Sequence, residues 1–124
     1  MADINKTPFH LRPWVGFDYD GTLFTHTTED NPVVGEPIKP MIERLKTLLN
    51  QGIRCKILTA RVSSIEKNVQ FQERVIRKSL VKEVGEKAAN IEVTAEKDYL
   101  MMEFYDDRAR QVIKDTGITI DGKE

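Results

Sequence analysis

Short runs rich in apolar residues recur along the chain, separated by polar or helix-like segments. Residues 14–17 are apolar throughout rather than alternating, which is typical of a strand buried on both faces of a parallel sheet. The pattern predicts four strands, at residues 14–17, 53–58, 90–94 and 100–105. Residues 111–113 are a candidate fifth strand, closed by a turn at Asp115-Thr116-Gly117.

A first helix is predicted over residues 37–50, because apolar side chains recur there every three or four positions. These positions are Ile38, Met41, Ile42, Leu45, Leu48 and Leu49. Pro40 suits the first turn, where a missing N–H costs no hydrogen bond, and Gly52 suits a C-terminal cap.

A second, longer helix is predicted over residues 63–84. Ser63 and Glu66 match a capping box at its start, and Gly85 ends it. Its apolar side carries Ile65, Val69, Ile76, Leu80 and Val84, and its other side carries Lys67, Arg74, Arg77, Lys78 and Lys82. A basic face of this kind is typical of a solvated helix surface.

The alternation of strand and helix patterns indicates βαβ units and hence an α/β fold. We expect a three-layer, Rossmann-like arrangement around a central parallel sheet. A length of 124 residues suits a single domain, so residues 1–124 are predicted to form one. Residues 25–36 are polar, with Asn31-Pro32 and Gly35, and predict a loop.

Composition and charge narrow the class of protein. The chain is 40% hydrophobic and 31% charged with a formal net charge of −1, which argues against wholesale disorder and against nucleic acid as the main partner. Cys55 stands alone in a predicted strand and is expected to be a core residue. No secretory signal or membrane span is apparent, so a cytoplasmic location is expected.

Polar residues follow three of the predicted strands where each ends. Asp18 and Asp20 follow the first strand, Thr59 the second, and Asp106-Asp107 the fourth. In an open parallel sheet, ligands bind at the carboxyl ends of the strands, so these groups should converge. Several carboxylates gathered at one edge would repel each other, and a hard cation with oxygen ligands, Mg²⁺ above all, would relieve this.

The run Asp18-Tyr19-Asp20-Gly21-Thr22-Leu23 behind Val15-Gly16-Phe17 resembles the nucleophile motif of the haloacid dehalogenase superfamily. Ile57-Leu58-Thr59-Ala60-Arg61 is similar to its second motif, and Phe104-Tyr105-Asp106-Asp107 to the paired-acid form of its fourth. Lys97 can stand for the third motif, with Lys87 as the competitor. The resemblance extends over most of the chain and implies a Mg²⁺-dependent phosphatase.

The resemblance also implies roles for the first two motifs. Asp18 is the expected nucleophile, forming an aspartyl-phosphate, and a bend at Gly21 brings Asp18 and Asp20 to one pocket. Asp20 is the expected general acid and base, and its backbone carbonyl a metal ligand. Thr59 and the N–H groups from Ala60 onward are expected to bind phosphate oxygens.

The remaining roles fall to residues near the end of the chain. Lys97 is expected to neutralise phosphate charge and keep Asp18 ionised. Asp106 is the expected metal ligand alongside Asp18 and Asp20, while Asp107 acts through water or Lys97. For Arg61, Arg108 and His26, contact with substrate and an incidental surface position both remain open.

The spacing of the motifs leaves no room for the cap domain that members of this superfamily usually insert. Only residues 24–36 follow the first motif, and nothing sizeable precedes Lys97. We therefore expect a capless phosphatase with an open site, suited to a large or polymer-linked phosphate or covered by a neighbouring subunit. The alternatives are a nucleotidase or polynucleotide end phosphatase, and a non-catalytic module that binds phosphate or Mg²⁺.

Overall fold

A computed structural model of the protein describes residues 7–30 and 32–122. Its single sheet has four parallel strands: β1 (Trp14–Phe17), β2 (Arg54–Leu58), β3 (Glu92–Thr94) and β4 (Met101–Tyr105). This confirms the predicted α/β class and its parallel sheet. Residues 1–6, 123–124 and Asn31 of the predicted loop lie outside the described residues.

The order of the strands is β3-β2-β1-β4, so the chain crosses from one side of β1 to the other after β3. Phe17, the last residue of β1, pairs with Ile57 of β2 and with Tyr105 of β4. The three strands therefore end nearly level with each other. A reversal of strand order opens a crevice at the carboxyl ends, and here it falls beside β1.

Two α-helices, α1 (Lys39–Asn50) and α2 (Val69–Val84), pack on the same face of the sheet. Their buried side chains join those of the strands in one core cluster that includes Phe17, Ile57, Leu45 and Leu80. The described residues hold no α-helix on the opposite face, so a three-layer arrangement stays a prediction. Neither described helix has the length and hydrophobicity needed to cross a membrane.

The opposite face of the sheet is covered by charged side chains and a short N-terminal segment. Trp14 is fully buried there, donates from Nε1 to Asp98 at 2.8 Å, and has the Lys56 ammonium 4.6 Å from its ring centroid. Arg54 forms a bidentate pair with Glu92 at 2.8 and 2.9 Å. Arg54 also donates to two carbonyls of residues 10–12, so in the described part of the chain this face is covered without an α-helix.

The first helix follows its predicted signals closely. Pro40 lies in the first turn of α1, and Gly52 follows the helix with a φ of 76°, a conformation that favours glycine. The described residues also form three short 3₁₀ helices, at Phe9–Leu11, Ala60–Val62 and Glu86–Ala88.

The predicted start of the second helix at Ser63 is wrong, because α2 begins only at Val69. Residues 60–62 form a 3₁₀ helix, and Glu66 donates its backbone N–H to Ser63 in a turn rather than in a capping box. Ile65 is 86% exposed. Most of the stability of a helix in a protein comes from packing its apolar face, and intrinsic helix propensity adds little. Because Ile65 is not packed against the core, residues 63–68 do not extend the helix.

The candidate fifth strand does not form a sheet strand among the described residues. Val112 makes only an isolated antiparallel bridge with Thr119. The predicted turn between them is present, with φ values of 62° at Asp115 and 72° at Gly117. Val112 and Ile113 are exposed. Because their side chains are not buried, no hydrophobic packing stabilises a longer strand here.

Candidate active site

The chain turns sharply as it leaves β1. The carbonyl of Tyr19 accepts hydrogen bonds from the backbone N–H groups of Leu23 and Phe24, at 3.0 and 3.1 Å. The Tyr19 side chain is fully buried, and its hydroxyl lies 2.6 Å from that of Ser79 on α2. This anchored turn brings Asp18 and Asp20 to the same cavity although Tyr19 points into the core between them.

Gly21 is required at the tip of this turn for two reasons. Its φ of 85° lies in the left-handed region that disfavours other residues. A Cβ at this position would also overlap the Asp107 carboxylate and lie 3.0 Å from Nε2 of His26. The close approach of backbone to Asp107 therefore depends on glycine here.

The residues predicted from the first, second and fourth motifs line one cavity of about 660 Å³ at the carboxyl ends of the strands. The predicted members are Asp18, Asp20, Thr59, Ala60, Asp106 and Asp107. Residues 27, 32 and 33 of the loop form one wall of the cavity, and Phe71 and Gln72 of α2 form another. Residues far apart in sequence thus lie close together at the carboxyl ends of the parallel strands, as expected.

Thr59 is buried at the end of β2, where its backbone N–H donates to the carbonyl of Thr94 at 2.8 Å. Its hydroxyl accepts a hydrogen bond of 3.2 Å from the backbone N–H of Arg61. Because that bond uses an acceptor position, the hydroxyl proton remains available to donate to a ligand oxygen in the cavity. This geometry suits the predicted contact with phosphate.

Three carboxylates form a tight group at the centre of the cavity. Asp18, Asp106 and Asp107 each offer an oxygen, and these atoms all lie within 4.8 Å of one another. Asp18 is held by its backbone N–H, which donates to Tyr105 at 2.9 Å. One oxygen of Asp106 accepts from the N–H groups of Arg108 and Ala109, at 3.1 and 2.7 Å, which fixes that carboxylate at the end of β4.

Burial and crowding act on the nucleophile candidate. Burial, and next the charge of Asp106, raise the pKa of Asp18 from 3.8 to about 7. Hydrogen bonding with Asp107 and Asp106 adds to this, and the backbone N–H of Tyr19 opposes it. A cation among these oxygens would favour the ionised form and reverse the effect.

Asp20 and Arg61 form a bidentate ion pair beside this group. Nε and Nη2 of Arg61 donate to the two Asp20 oxygens, each at 2.8 Å, and the Arg61 side chain is only 14% exposed. Nη1 donates to the carbonyl of Val33 at 2.9 Å and to Oε1 of Gln72 at 3.1 Å. Arg61 therefore ties the Asp20 carboxylate to the loop wall and to α2.

The structure does not bring Lys97 to the cavity. It is exposed in the connection from β3 to β4 and does not line the cavity, and Lys87 is also exposed and outside it. The arginines that line the cavity are Arg61 and Arg108. Lys97 is next to Asp98 in the loop before β4. Asp98 is held by Trp14 and Lys56 on the face of the sheet opposite the two helices.

The lining of the cavity is strongly acidic. Asp18, Asp20, Glu66, Asp106 and Asp107 supply five carboxylates against two arginines, and one of those arginines is already paired with Asp20. Oxygen ligands of this kind suit a hard divalent cation rather than a soft one. The donor set therefore fits the Mg²⁺ that the sequence predicts.

Comparisons with known proteins do not add to this picture. No protein-family model, curated protein or solved structure matches the chain. The resemblance to the haloacid dehalogenase superfamily thus stays a prediction from the motif residues in the sequence.

Several lining residues were not assigned to the site from sequence. His26 lies 3.9 Å from Asp107 through Nε2, while Glu66 and Phe71 come from the turn before α2 and from its first turn. Cys55 is buried in the core cluster, which confirms the predicted core position, and this burial raises the pKa of its thiol to about 12. Glu66 and Phe71 carry no local sequence signal for a site, because the late start of α2 determines their placement.

Proposed function

We propose that this protein is a Mg²⁺-dependent phosphomonoesterase that works through an aspartyl-phosphate on Asp18. The observation that carries the proposal is the convergence of Asp18, Asp20, Thr59 and Asp106 on one cavity at the carboxyl ends of β1, β2 and β4. These residue types at the reversal of strand order supply a nucleophile, an acid, a phosphate-binding hydroxyl and a metal ligand.

The proposal includes membership of the haloacid dehalogenase superfamily in its capless form, as a cytoplasmic enzyme. The central position of β1 and the acids at its end support it. In this proposal, residues 9–12 and the network around Trp14 serve as a thin third layer on the face where the described residues form no α-helix. Among the described residues, those at 25–30 and 32–36 are then the covering of the site, which leaves it accessible to a large or polymer-linked phosphate or to a second copy of the chain.

Asp18 and Asp106 would hold Mg²⁺ together with the backbone carbonyl of Asp20. Asp107, whose carboxylate lies within the same group, acts on the ion directly or through water. The ion supplies charge neutralisation for the phosphate and for Asp18 when it is bound. This requirement follows from the excess of carboxylates in the cavity.

In the first step, an oxygen of Asp18 attacks the phosphorus and the bond from phosphorus to the ester oxygen breaks. The leaving alkoxide takes a proton from Asp20 and departs as an alcohol. The Thr59 hydroxyl and the backbone N–H of Ala60 orient the phosphate oxygens, and this positioning supplies much of the rate enhancement.

In the second step, water attacks the phosphorus of the aspartyl-phosphate and passes a proton to Asp20, which releases phosphate and restores the Asp18 carboxylate. Arg61 occupies both oxygens of Asp20 in the structure, so one of its hydrogen bonds must be given up whenever Asp20 carries a proton. Since Lys97 lies outside the cavity, we assign neutralisation of phosphate charge to Arg61.

Hydrolysis of p-nitrophenyl phosphate tests this proposal. Wild-type protein should turn over the ester with Mg²⁺ and lose activity with a chelator, and Asp18→Asn should be inactive with Mg²⁺. Mass spectrometry of acid-quenched wild-type protein should place a phosphoryl group on Asp18. Asp115→Asn is a matched control, because Asp115 is exposed in a turn whose positive φ of 62° Asn also adopts.

The same experiment separates catalysis from the alternative of a non-catalytic module that binds phosphate or Mg²⁺. Such a module would bind Mg²⁺ or phosphate in calorimetry and show no turnover that depends on Asp18. Absence of Asp18-dependent hydrolysis across nucleotides, sugar phosphates and aryl phosphates would refute the enzyme proposal.

A further inference from the structure

The outer surface of α2 is positively charged. Its exposed residues are Gln70, Phe71, Arg74, Lys78 and Lys82. Positions 71, 74, 78 and 82 are spaced three or four residues apart, so their side chains lie along one side of the helix and form what we call the α2 stripe. The two glutamates of the helix, Glu73 and Glu83, are half-buried, so every exposed charge on α2 is basic.

The three cations of the α2 stripe lack acidic partners. Within residues 7–30 and 32–122, no ion pair joins Arg74, Lys78 or Lys82 to a carboxylate. Arg77 on the same helix, by contrast, pairs with Glu73 at 3.3 Å. A row of unpaired cations attracts an anionic ligand that has several charges.

The α2 stripe begins at the candidate active site. Phe71 is 45% exposed and lines the cavity that contains Asp18. It also lines an adjoining hollow of about 410 Å³ together with Lys67 and Arg74. From Phe71 to Lys82 the helix rises about 16 Å, so a ligand leaving the cavity over Phe71 can run along the whole stripe.

A second groove, of about 780 Å³, lies between α2 and the loop at residues 33–37. Lys78 and Lys82 line this groove together with Glu36 and Glu83, and Val33 is shared with the active-site cavity. The hollow at the Phe71 end of the α2 stripe is therefore lined by cations without carboxylates, while the groove at the Lys82 end has two cations and two carboxylates. A ligand longer than a single phosphate group would extend from the cavity along the α2 stripe and contact these cations.

An exposed aromatic ring followed by spaced cations matches a single-stranded nucleic acid, whose bases stack on aromatic side chains and whose phosphates pair with Lys and Arg. We propose that the α2 stripe binds the strand of a single-stranded nucleic acid whose terminal phosphate enters the Asp18 cavity. Phe71 stacks on the end base, and Arg74, Lys78 and Lys82 contact backbone phosphates. The inference rests on the proposed phosphatase function and narrows its substrate class.

The net charge of −1 argued against nucleic acid as the main partner. Total charge does not describe this surface, because the acids of the site are gathered in the cavity while the stripe is basic. Charges more than about 10 Å apart are largely screened at moderate ionic strength. A nucleic-acid strand bound along α2 is therefore attracted by the nearby cations, and the net charge of the whole chain has little effect on it.

The test compares two substrates, p-nitrophenyl phosphate and a short single-stranded oligodeoxynucleotide carrying a 3′- or a 5′-terminal phosphate. In Arg74→Gln/Lys78→Gln/Lys82→Gln, the ratio of kcat/KM for the oligonucleotide to that for the aryl phosphate should fall at least about tenfold. The slope of log KM against log salt should decrease by about 2, as expected for three lost contacts on a single strand.

The matched control is Lys39→Gln/Lys46→Gln/Lys114→Gln, which removes three exposed cations that do not line the cavity or either hollow. Its ratio should equal that of the wild type. Phe71→Leu should lower the oligonucleotide kcat/KM by about tenfold, because stacking is lost while an apolar side chain is kept.

Binding and turnover are measured separately so that the two proposals can fail separately. Asp18→Asn with a fluorescein-labelled oligonucleotide reports binding by anisotropy without catalysis, and loss of this binding in the stripe variant supports the stripe. If p-nitrophenyl phosphate hydrolysis depends on Asp18 but the stripe variant keeps the wild-type ratio, the inference is wrong and the phosphatase proposal stands. Equal turnover of inorganic polyphosphate, unaffected by Phe71→Leu, would also overturn it.

Discussion

Asp18→Asn should make the metal-free protein more stable at neutral and alkaline pH while abolishing its catalysis. The cause is the crowded position of the Asp18 carboxylate, whose pKa is raised to about 7 by burial and by the charge of Asp106. Asn has nearly the same shape and carries no charge, so it removes the repulsion. It also keeps an oxygen that can accept the hydrogen bond of 3.3 Å from Thr22.

The magnitude follows from the pKa. A rise from 3.8 to about 7 corresponds to at most about 4 kcal/mol of destabilisation once the carboxylate is ionised in the folded state. Asp18 is only partly buried, so solvent screening reduces this to about 2 kcal/mol. For a chain of 124 residues, that amounts to a rise in Tm of about 8 °C in the variant.

The dependence on pH has a definite sign. Between pH 3.8 and about 7, the folded state holds a proton on Asp18 that the unfolded state has lost. The stability of the wild type therefore falls as pH rises through this window, and the fall ends near the folded-state pKa. The advantage of Asp18→Asn should be nearly full at pH 8 and shrink to about two fifths at pH 5.

Thermal denaturation followed by circular dichroism, with a chelator and then with saturating Mg²⁺, measures these quantities. Mg²⁺ should raise the Tm of the wild type more than that of the variant, because the variant lacks one anionic ligand. Asp115→Asn should match the wild type at every pH. Equal Tm values for wild type and Asp18→Asn at pH 8 without metal would show that the Asp18 carboxylate does not destabilise the folded state. The inference that a cation is needed to relieve repulsion in the cavity would then be wrong.

Three further changes probe the rest of the site. Arg61→Ala should lower kcat/KM for p-nitrophenyl phosphate about 100-fold. Arg61→Lys should recover little of that loss, because a lysine cannot form the bidentate pair with Asp20; full recovery would contradict the geometry. Asp20→Asn should lower kcat/KM for alkyl phosphates about 100-fold more than kcat/KM for p-nitrophenyl phosphate, whose leaving group needs no proton, and equal losses in kcat/KM would argue against a general acid. Gly21→Ala should cost about 2 kcal/mol in urea denaturation, more than Gly52→Ala, since both have positive φ but only position 21 meets the Asp107 carboxylate; equal costs would be evidence against that contact.

Much of the fold is predictable because its signals are local. The strand at residues 14–17 is apolar at every position, and the observed β1 has those bounds. Pro40 and Gly52 mark the two ends of α1 through their own backbone preferences, which depend on no distant partner. Parallel strands also bring their carboxyl ends together, so Asp18, Thr59 and Asp106 could be assigned to one site before any geometry was known.

Where the structure depends on contacts between residues far apart in sequence, the local sequence pattern gave a wrong prediction or none. Ser63 and Glu66 form a capping pattern in sequence, yet Ile65 finds no apolar surroundings and the helix starts six residues later, at Val69. Lys97 stands in the right order for the third motif but lies outside the cavity. The order of residues along a chain restricts which groups can meet, and does not by itself place a loop residue at an edge.

The sequence alone determined the parallel α/β class, the acids at the end of β1 and the expectation of a cation, because strand period and residue chemistry are local properties. Only the tertiary structure decided that Arg61 holds Asp20, 41 residues away, and that Phe71 and its neighbouring cations begin at the cavity. It also showed both helices on one face and a charged network around Trp14 on the other. These features depend on which side chains the crossovers bring within a few ångströms, and pairing across such distances leaves no periodic trace in the chain.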